Sequence, residues 1–171
     1  MIQRVESSDN HCTWCVDHLA ETQLLANALA DSLRELTPVV VALVGTLGAG
    51  KTQWVKFLAN HLGANVDDVS SPTFVLMQRY PTTTPIVHLD AYRIGDADEF
   101  LELGVEEIFD EPVITLIEWA DRFRECMPNN TLWIELQPTG ESNEQRRITF
   151  SNLQYHPHLR HAMLDMLPNA S

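Results

Sequence analysis

The chain alternates between stretches with apolar residues every three or four positions and short, unbroken apolar runs. Leu24, Leu25, Ala28, Leu29 and Leu33 recur at helical spacing and predict a helix over about 20–36, which Pro38 separates from the next segment. Val39 to Val44 is wholly apolar and rich in β-branched residues, the mark of a strand buried on both faces. A glycine-rich turn, 45–50, leads into a second helix over 51–62, with Trp54, Phe57, Leu58 and Leu62 on one side and Gly63 at its end. Segments 74–80 and 86–92 read as strands joined through 81–85, a hairpin connection with a proline at each end. Residues 96–109 have helical character interrupted by Gly104, and 113–117 is another apolar strand. Strands at 132–136 and 147–150 pair across a turn at 138–140, and a tail helix is expected over 157–167 with Leu159, Met163, Met166 and Leu167 inward. Residues 1–19 read as one or two short edge strands with a turn at 7–10. This order predicts an α/β three-layer sandwich: a mixed parallel and antiparallel sheet flanked by helices.

A length of 171 residues suits one domain, 1–171, with a core over about 20–151 and the tail helix behind it. No apolar run reaches the roughly 18 residues of a transmembrane helix, and residues 1–6 do not open a signal peptide, so the cytoplasm is the expected compartment. The net charge of -13 disfavours a direct grip on a nucleic-acid backbone. Between Leu89 and Asp121 there are 11 acids and one base, Arg93, either a solvated face or a docking surface for a basic partner. Cys12 and Cys15 form a C-x-x-C pair on a strand-like alternation, and no second pair or spaced histidines complete a zinc set. Structural thiols are the expectation.

The sharpest chemical signal is Gly45-Thr46-Leu47-Gly48-Ala49-Gly50-Lys51-Thr52, which fits G-x-x-x-x-G-K-[ST] between a buried strand and an amphipathic helix. Glycines let the loop wrap phosphates closely, inward N–H groups donate to them, and the helix start adds its dipole. Lys51 is expected to reach the β- and γ-phosphates of ATP, and Thr52 to place its hydroxyl on Mg²⁺. Hydrolysis also needs a metal-side acid and a group that positions water. Asp90 and Glu118 each follow an apolar strand, where a crevice would receive ligand, and the two roles stay open between them. Thr73 can sense the γ-phosphate or be a turn hydroxyl. Arg93 can contact phosphate or pair with neighbouring acids, the latter preferred. Trp119 can cover the nucleotide crevice or belong to the core, while Trp54 and Trp133 read as packing.

Four blocks stand in order: the glycine-rich loop, Ser71-Pro72-Thr73-Phe74, His88-Leu89-Asp90-Ala91-Tyr92-Arg93, and Leu116-Ile117-Glu118-Trp119. Together they resemble the bacterial tRNA threonylcarbamoyladenosine biosynthesis ATPase family, TsaE, formerly YjeE, over about 20–121. The resemblance implies a P-loop NTPase-like core with an unusual mixed sheet, slow Mg²⁺-dependent ATP hydrolysis, and work with TsaB and TsaD. That machinery makes threonylcarbamoyladenosine at position 37 of tRNA; this component drives or resets the transferase, touching tRNA only indirectly and no membrane. It further implies that Thr46, Leu47, Gly48, Ala49, Gly50, Lys51 and Thr52 hold phosphate. Thr73, Asp90 and Glu118 join Lys51 in catalysis, and Glu118 joins Thr52 at the metal. Trp119 lies by the nucleotide, and Thr22 resembles the segment near adenine. Three departures stand out: Thr46 replaces a usual acid, Gln53-Trp54 a usual Thr-Phe, and Ala91 a larger apolar residue. The alternatives are a small-molecule P-loop kinase and a non-enzymatic ATP-dependent switch.

Overall fold

The computed structural model describes residues 2–165 apart from Ser71, Glu141 and Asn143. Its strands are β1 (Gln3–Ser7), β2 (His11–Val16), β3 (Val39–Val44), β4 (Met77–Tyr80), β5 (Ile86–Asp90), β6 (Ile114–Glu118), β7 (Leu132–Pro138) and β8 (Arg146–Ser151). The helices are α1 (Leu19–Leu33), α2 (Lys51–His61), α3 (Ala97–Glu102), α4 (Val105–Asp110) and α5 (Pro157–Asp165). The strands form one eight-stranded sheet in the order β1-β2-β8-β7-β3-β6-β5-β4. β3 runs parallel to β6 and β7, and β5 parallel to β6, whereas β1–β2, β2–β8, β7–β8 and β4–β5 are antiparallel. The mixed α/β sandwich read from the sequence is the fold observed.

Strand alternation sorts the core onto two faces. Val39, Val41 and Leu43 of β3 join α1, α2 and α5 through Leu25, Leu29, Trp54, Leu58 and Leu159. Val40 and Ala42 face the other way, into Phe100, Ile108 and Phe123. Each fully buried Leu or Val there contributes about 1.5–3 kcal/mol relative to exposure. The second helical layer is short, and its residues cluster with β3, β5 and β6, the half of the sheet that carries the site.

Several boundaries differ from the sequence reading for local reasons. The apolar stretch 74–80 is strand only from Met77, because Leu76 takes a left-handed conformation (φ 64°) and its N–H bonds back to Pro72 O at 2.6 Å. The 86–92 strand stops at Asp90, whose Oδ1 accepts the Tyr92 N–H at 2.9 Å and turns the chain. Gly104 (φ 73°) splits 96–109 into α3 and α4. α1 ends at Leu33, and Ala120–Cys126 forms a 3₁₀ segment that the periodicity did not announce. α2 ends in a Schellman motif at Gly63, with Ala64 N–H bonded to Ala59 O at 2.9 Å. The end of the expected tail helix, Met166 and Leu167, lies outside the described residues, as does Ser71.

Much of the acidic run has local employment. Asp96 caps α3 by accepting the Glu99 N–H at 2.9 Å, Glu99 reaches back to the Gly95 N–H at 2.6 Å, and Glu111 grips Arg79 through both oxygens. Cys12 and Cys15, three apart on β2, point to opposite faces and are free thiols.

At the first loop glycine the backbone leaves no room for a side chain. Gly45 has φ 148°, and a Cβ there would lie 2.4 Å from Leu136 O. Gly45→Ala is expected to cost about 2 kcal/mol, lowering the thermal midpoint by about 5 °C. An unchanged midpoint in calorimetry would refute the constraint.

Candidate functional site

β3, β5 and β6 are adjacent parallel strands, and their carboxyl ends lie level: Leu43 pairs with Glu118, and Glu118 with Asp90. The glycine-rich loop leaves β3 at that end and feeds α2. A cleft of about 390 Å³ opens there, where an α/β sheet receives ligand. Leu47, Gly48, Gly50, Lys51 and Thr52 form one wall. Thr73, Asp90, Glu118 and Trp119 form the other, with Tyr92.

Lys51 is only 4% exposed. Its Nζ donates to Gly45 O at 2.7 Å and Thr46 O at 3.0 Å, and it lies 3.6 Å from the centre of the Trp119 ring. Burial pulls the ammonium below the usual lysine range, while the carboxylates of Glu118, Asp90 and Asp121 oppose that pull. Trp119 reaches over Lys51 from a left-handed backbone (φ 61°), an unfavourable conformation for tryptophan, held by its N–H bond to Leu43 O at 3.0 Å.

The Thr52 hydroxyl lies 2.9 Å from both Glu118 oxygens. His88 Nε2 lies 3.0 Å from Glu118 Oε1, and Tyr80 OH lies 3.2 Å from His88 Nδ1. Burial pushes the Tyr80 phenol up to about 12. Asp90 sits one strand away, 2% exposed, and accepts the Thr73 hydroxyl at 2.6 Å. A hydroxyl and a carboxylate at the start of the loop helix, with a second carboxylate beside them, form a hard oxygen donor set of the kind that suits Mg²⁺ shared with phosphates. Gly48 and Gly50 both have left-handed backbones, and a Cβ at Gly48 would meet no described residue within 4 Å, so the loop has room to close on a phosphate chain.

Not every expected residue is in the cleft. Thr46 lines a separate hollow of about 470 Å³ behind the loop, with Gly45 and residues 135–138. Ala49, within the loop, is fully buried and does not line the cleft. Thr22 is a buried residue of α1, 4% exposed, and is not among the residues lining the cleft. Arg93 lies 4.3 Å over the Phe74 ring, a cation–π contact, and the acid pairing expected for it is not seen among the described residues.

Three residues of the site went unread in the sequence. His88 adjoins Glu118, and Tyr80 adjoins His88; His88 stands two before Asp90 on β5, so period-two alternation places both on one face. Arg146, from β8, braces the loop from outside through Nε to Ala49 O at 2.7 Å, and no sequence signal links it to residue 49.

The model of the family "Threonylcarbamoyl adenosine biosynthesis protein TsaE" matches residues 16–148. The "tRNA threonylcarbamoyladenosine biosynthesis protein TsaE" of Treponema pallidum is 33% identical over 131 residues, covering 77% of this chain and 96% of that one. The protein of the same name from Bacillus subtilis is 38% identical over 113 residues (66% and 68%), and that from Aquifex aeolicus 36% over 132 residues (75% and 88%). Among solved structures, Bacillus subtilis YdiB superposes with a TM-score of 0.68 at 26% identity, over 97% of this chain and 95% of that one.

Proposed function

Since the chain belongs to the TsaE family of threonylcarbamoyl adenosine biosynthesis proteins, we propose that it is the ATP-binding and ATP-hydrolysing component of the tRNA threonylcarbamoyladenosine machinery, driving or resetting a TsaB–TsaD transferase complex. The observation that carries this reading is the contact of Thr52 with both Glu118 oxygens, 2.9 Å each, beside the buried Lys51.

Lys51 binds the β- and γ-phosphate oxygens, which take the place of the Gly45 and Thr46 carbonyls as its partners. The loop N–H groups and the start of α2 add donors to the same oxygens. Thr52 and Glu118 would hold Mg²⁺, which when bound neutralises charge on the phosphates. Glu118 takes the metal side because it touches Thr52, leaving Asp90 to orient the attacking water. Thr73, bonded to Asp90, links that water position to the loop it stands on. Trp119 shields the Lys51 ammonium from solvent. The net charge of -13 supports protein partners and only indirect contact with tRNA, and the cytoplasm is where this work would be done. Among the described residues no helix is long and apolar enough to cross a membrane.

The test is the Mg²⁺-dependent ATPase rate of the chain alone and with TsaB and TsaD from its own organism, with the Lys51→Ala protein as blank. The expected result is slow turnover alone, raised by the partners, and a blank that does not respond. Turnover indifferent to folded partners would overturn the driving role. Phosphate transfer to a small metabolite would favour the acceptor-kinase reading.

A further inference from the structure

We propose that His88, held by Tyr80, is the positioning residue that fixes the Glu118 carboxylate for metal-bound nucleotide, an inference that rests on the functional reading above. Glu118 is 2% exposed at the end of β6. A carboxylate so deep needs hydrogen-bond donors on its oxygens. Two side chains among the described residues supply them. Thr52 has one proton to share between both oxygens, and His88 Nε2 faces Oε1 at 3.0 Å.

The Thr52 hydroxyl is also the group expected on Mg²⁺. Once it turns to that task, His88 is the side-chain donor that stays on Glu118. An ionised carboxylate only accepts, so Nε2 carries a proton, and in a neutral imidazole Nδ1 is then left to accept. The Tyr80 hydroxyl, 3.2 Å from Nδ1, provides the donor that selects this tautomer and ring orientation; its other acceptors, Gln78 Oε1 and Ser70 O, are farther away at 3.4 and 3.5 Å. The three side chains stand diagonally across β4, β5 and β6: Gln78 pairs with His88, and His88 with Leu116, two residues before Glu118. His88 is 0% exposed and Tyr80 3%, so the line from phenol to carboxylate is shut off from water. A buried imidazole with both nitrogens engaged is costly to build as mere filling, since Leu or Phe would fill the place without polar obligations. Outer partners of this kind orient ligating groups, and their loss typically costs about 10–100-fold in metal affinity or activity.

The experiment titrates Mg²⁺ against binding of a non-hydrolysable ATP analogue, read by calorimetry, for the full chain and for His88→Leu, His88→Gln and Tyr80→Phe. Circular dichroism checks folding, and kcat is measured in parallel. For His88→Leu, the Mg²⁺ concentration at half-effect is expected to rise about 10-fold, with analogue affinity at saturating Mg²⁺ nearly unchanged. His88→Gln restores a donor near the Nε2 position and should recover most of the loss. Tyr80→Phe should shift the same way by about 3-fold. A Leu variant with the unaltered Mg²⁺ dependence would overturn the inference while leaving the functional reading standing. So would a Gln variant as impaired as Leu, since packing alone would then be at stake. If the Leu variant does not fold, a folded Tyr80→Phe protein with unshifted Mg²⁺ dependence overturns it equally. Absence of analogue binding by the unaltered chain would overturn the functional reading and this inference with it.

Discussion

Lys51→Ala is expected to weaken ATP binding on the order of 100-fold, about 3 kcal/mol, and to abolish productive turnover. Its ammonium is the cation lining the cleft, held against the Gly45 and Thr46 carbonyls and the Trp119 ring 3.6 Å away. Those contacts leave the amine facing the loop with its stem buried, so a phosphate oxygen has only to replace carbonyls already in place. Burial lowers the proton affinity of Lys51, and a phosphate would restore it, so nucleotide and proton should bind together at alkaline pH. Lys51→Arg should not rescue, because the planar fork is wider than the ammonium the loop encloses. Calorimetric titration of folded protein is the measurement. Affinity equal to that of the unaltered chain would place the phosphates elsewhere and remove the basis of the functional reading.

Glu118→Gln separates binding from chemistry. The amide keeps the shape of the side chain and an acceptor for His88 at the end of β6, so the fold should persist. Turnover is expected to fall by about 10–100-fold, while affinity at saturating Mg²⁺ changes by less than about 3-fold. Glu118→Ala should follow the same direction, with the added penalty that the donors of Thr52 and His88 lose their acceptor. Equal loss of binding and turnover in the Gln variant would end the division of roles in which Lys51 binds and Glu118 serves the metal side. The same assay on Asp90→Asn tests whether its carboxylate, held by Thr73, works on the water side.

Chain pattern and fold agree best where local and global demands coincide. The six residues of β3 are apolar throughout because parallel strands are covered on both faces, and their boundaries could be read directly. The loop was legible for the same reason: a glycine at a position where a Cβ would strike Leu136 O can hardly be anything else. Agreement fails where a turn is imposed from outside the segment. Phe74, Val75 and Leu76 carry strand-like residues, yet the chain bends there through Pro72, and Thr73 stands against Asp90 on β5. Trp119 likewise takes a left-handed backbone that its own preferences oppose, because β6 ends there and its N–H is committed to Leu43.

The order of apolar and polar residues by itself determined the α/β class, the buried central strand, the phosphate-type loop and two acids at strand ends. Each rests on periodicity or on a backbone conformation that only certain residues tolerate. Tertiary structure alone decided which side chains meet. Parallel pairing of β5 with β6 and of β6 with β3 brought Asp90, Glu118 and the loop level, and the diagonal from β4 set Tyr80 and His88 behind Glu118. Antiparallel return of β8 carried Arg146 to Ala49, far away in sequence. Thr22 went to the buried side of α1 because a helix turns its residues by about 100° each, so small differences in where it packs decide which hydroxyl reaches a cleft. Such meetings depend on strand order and register, which no single segment encodes.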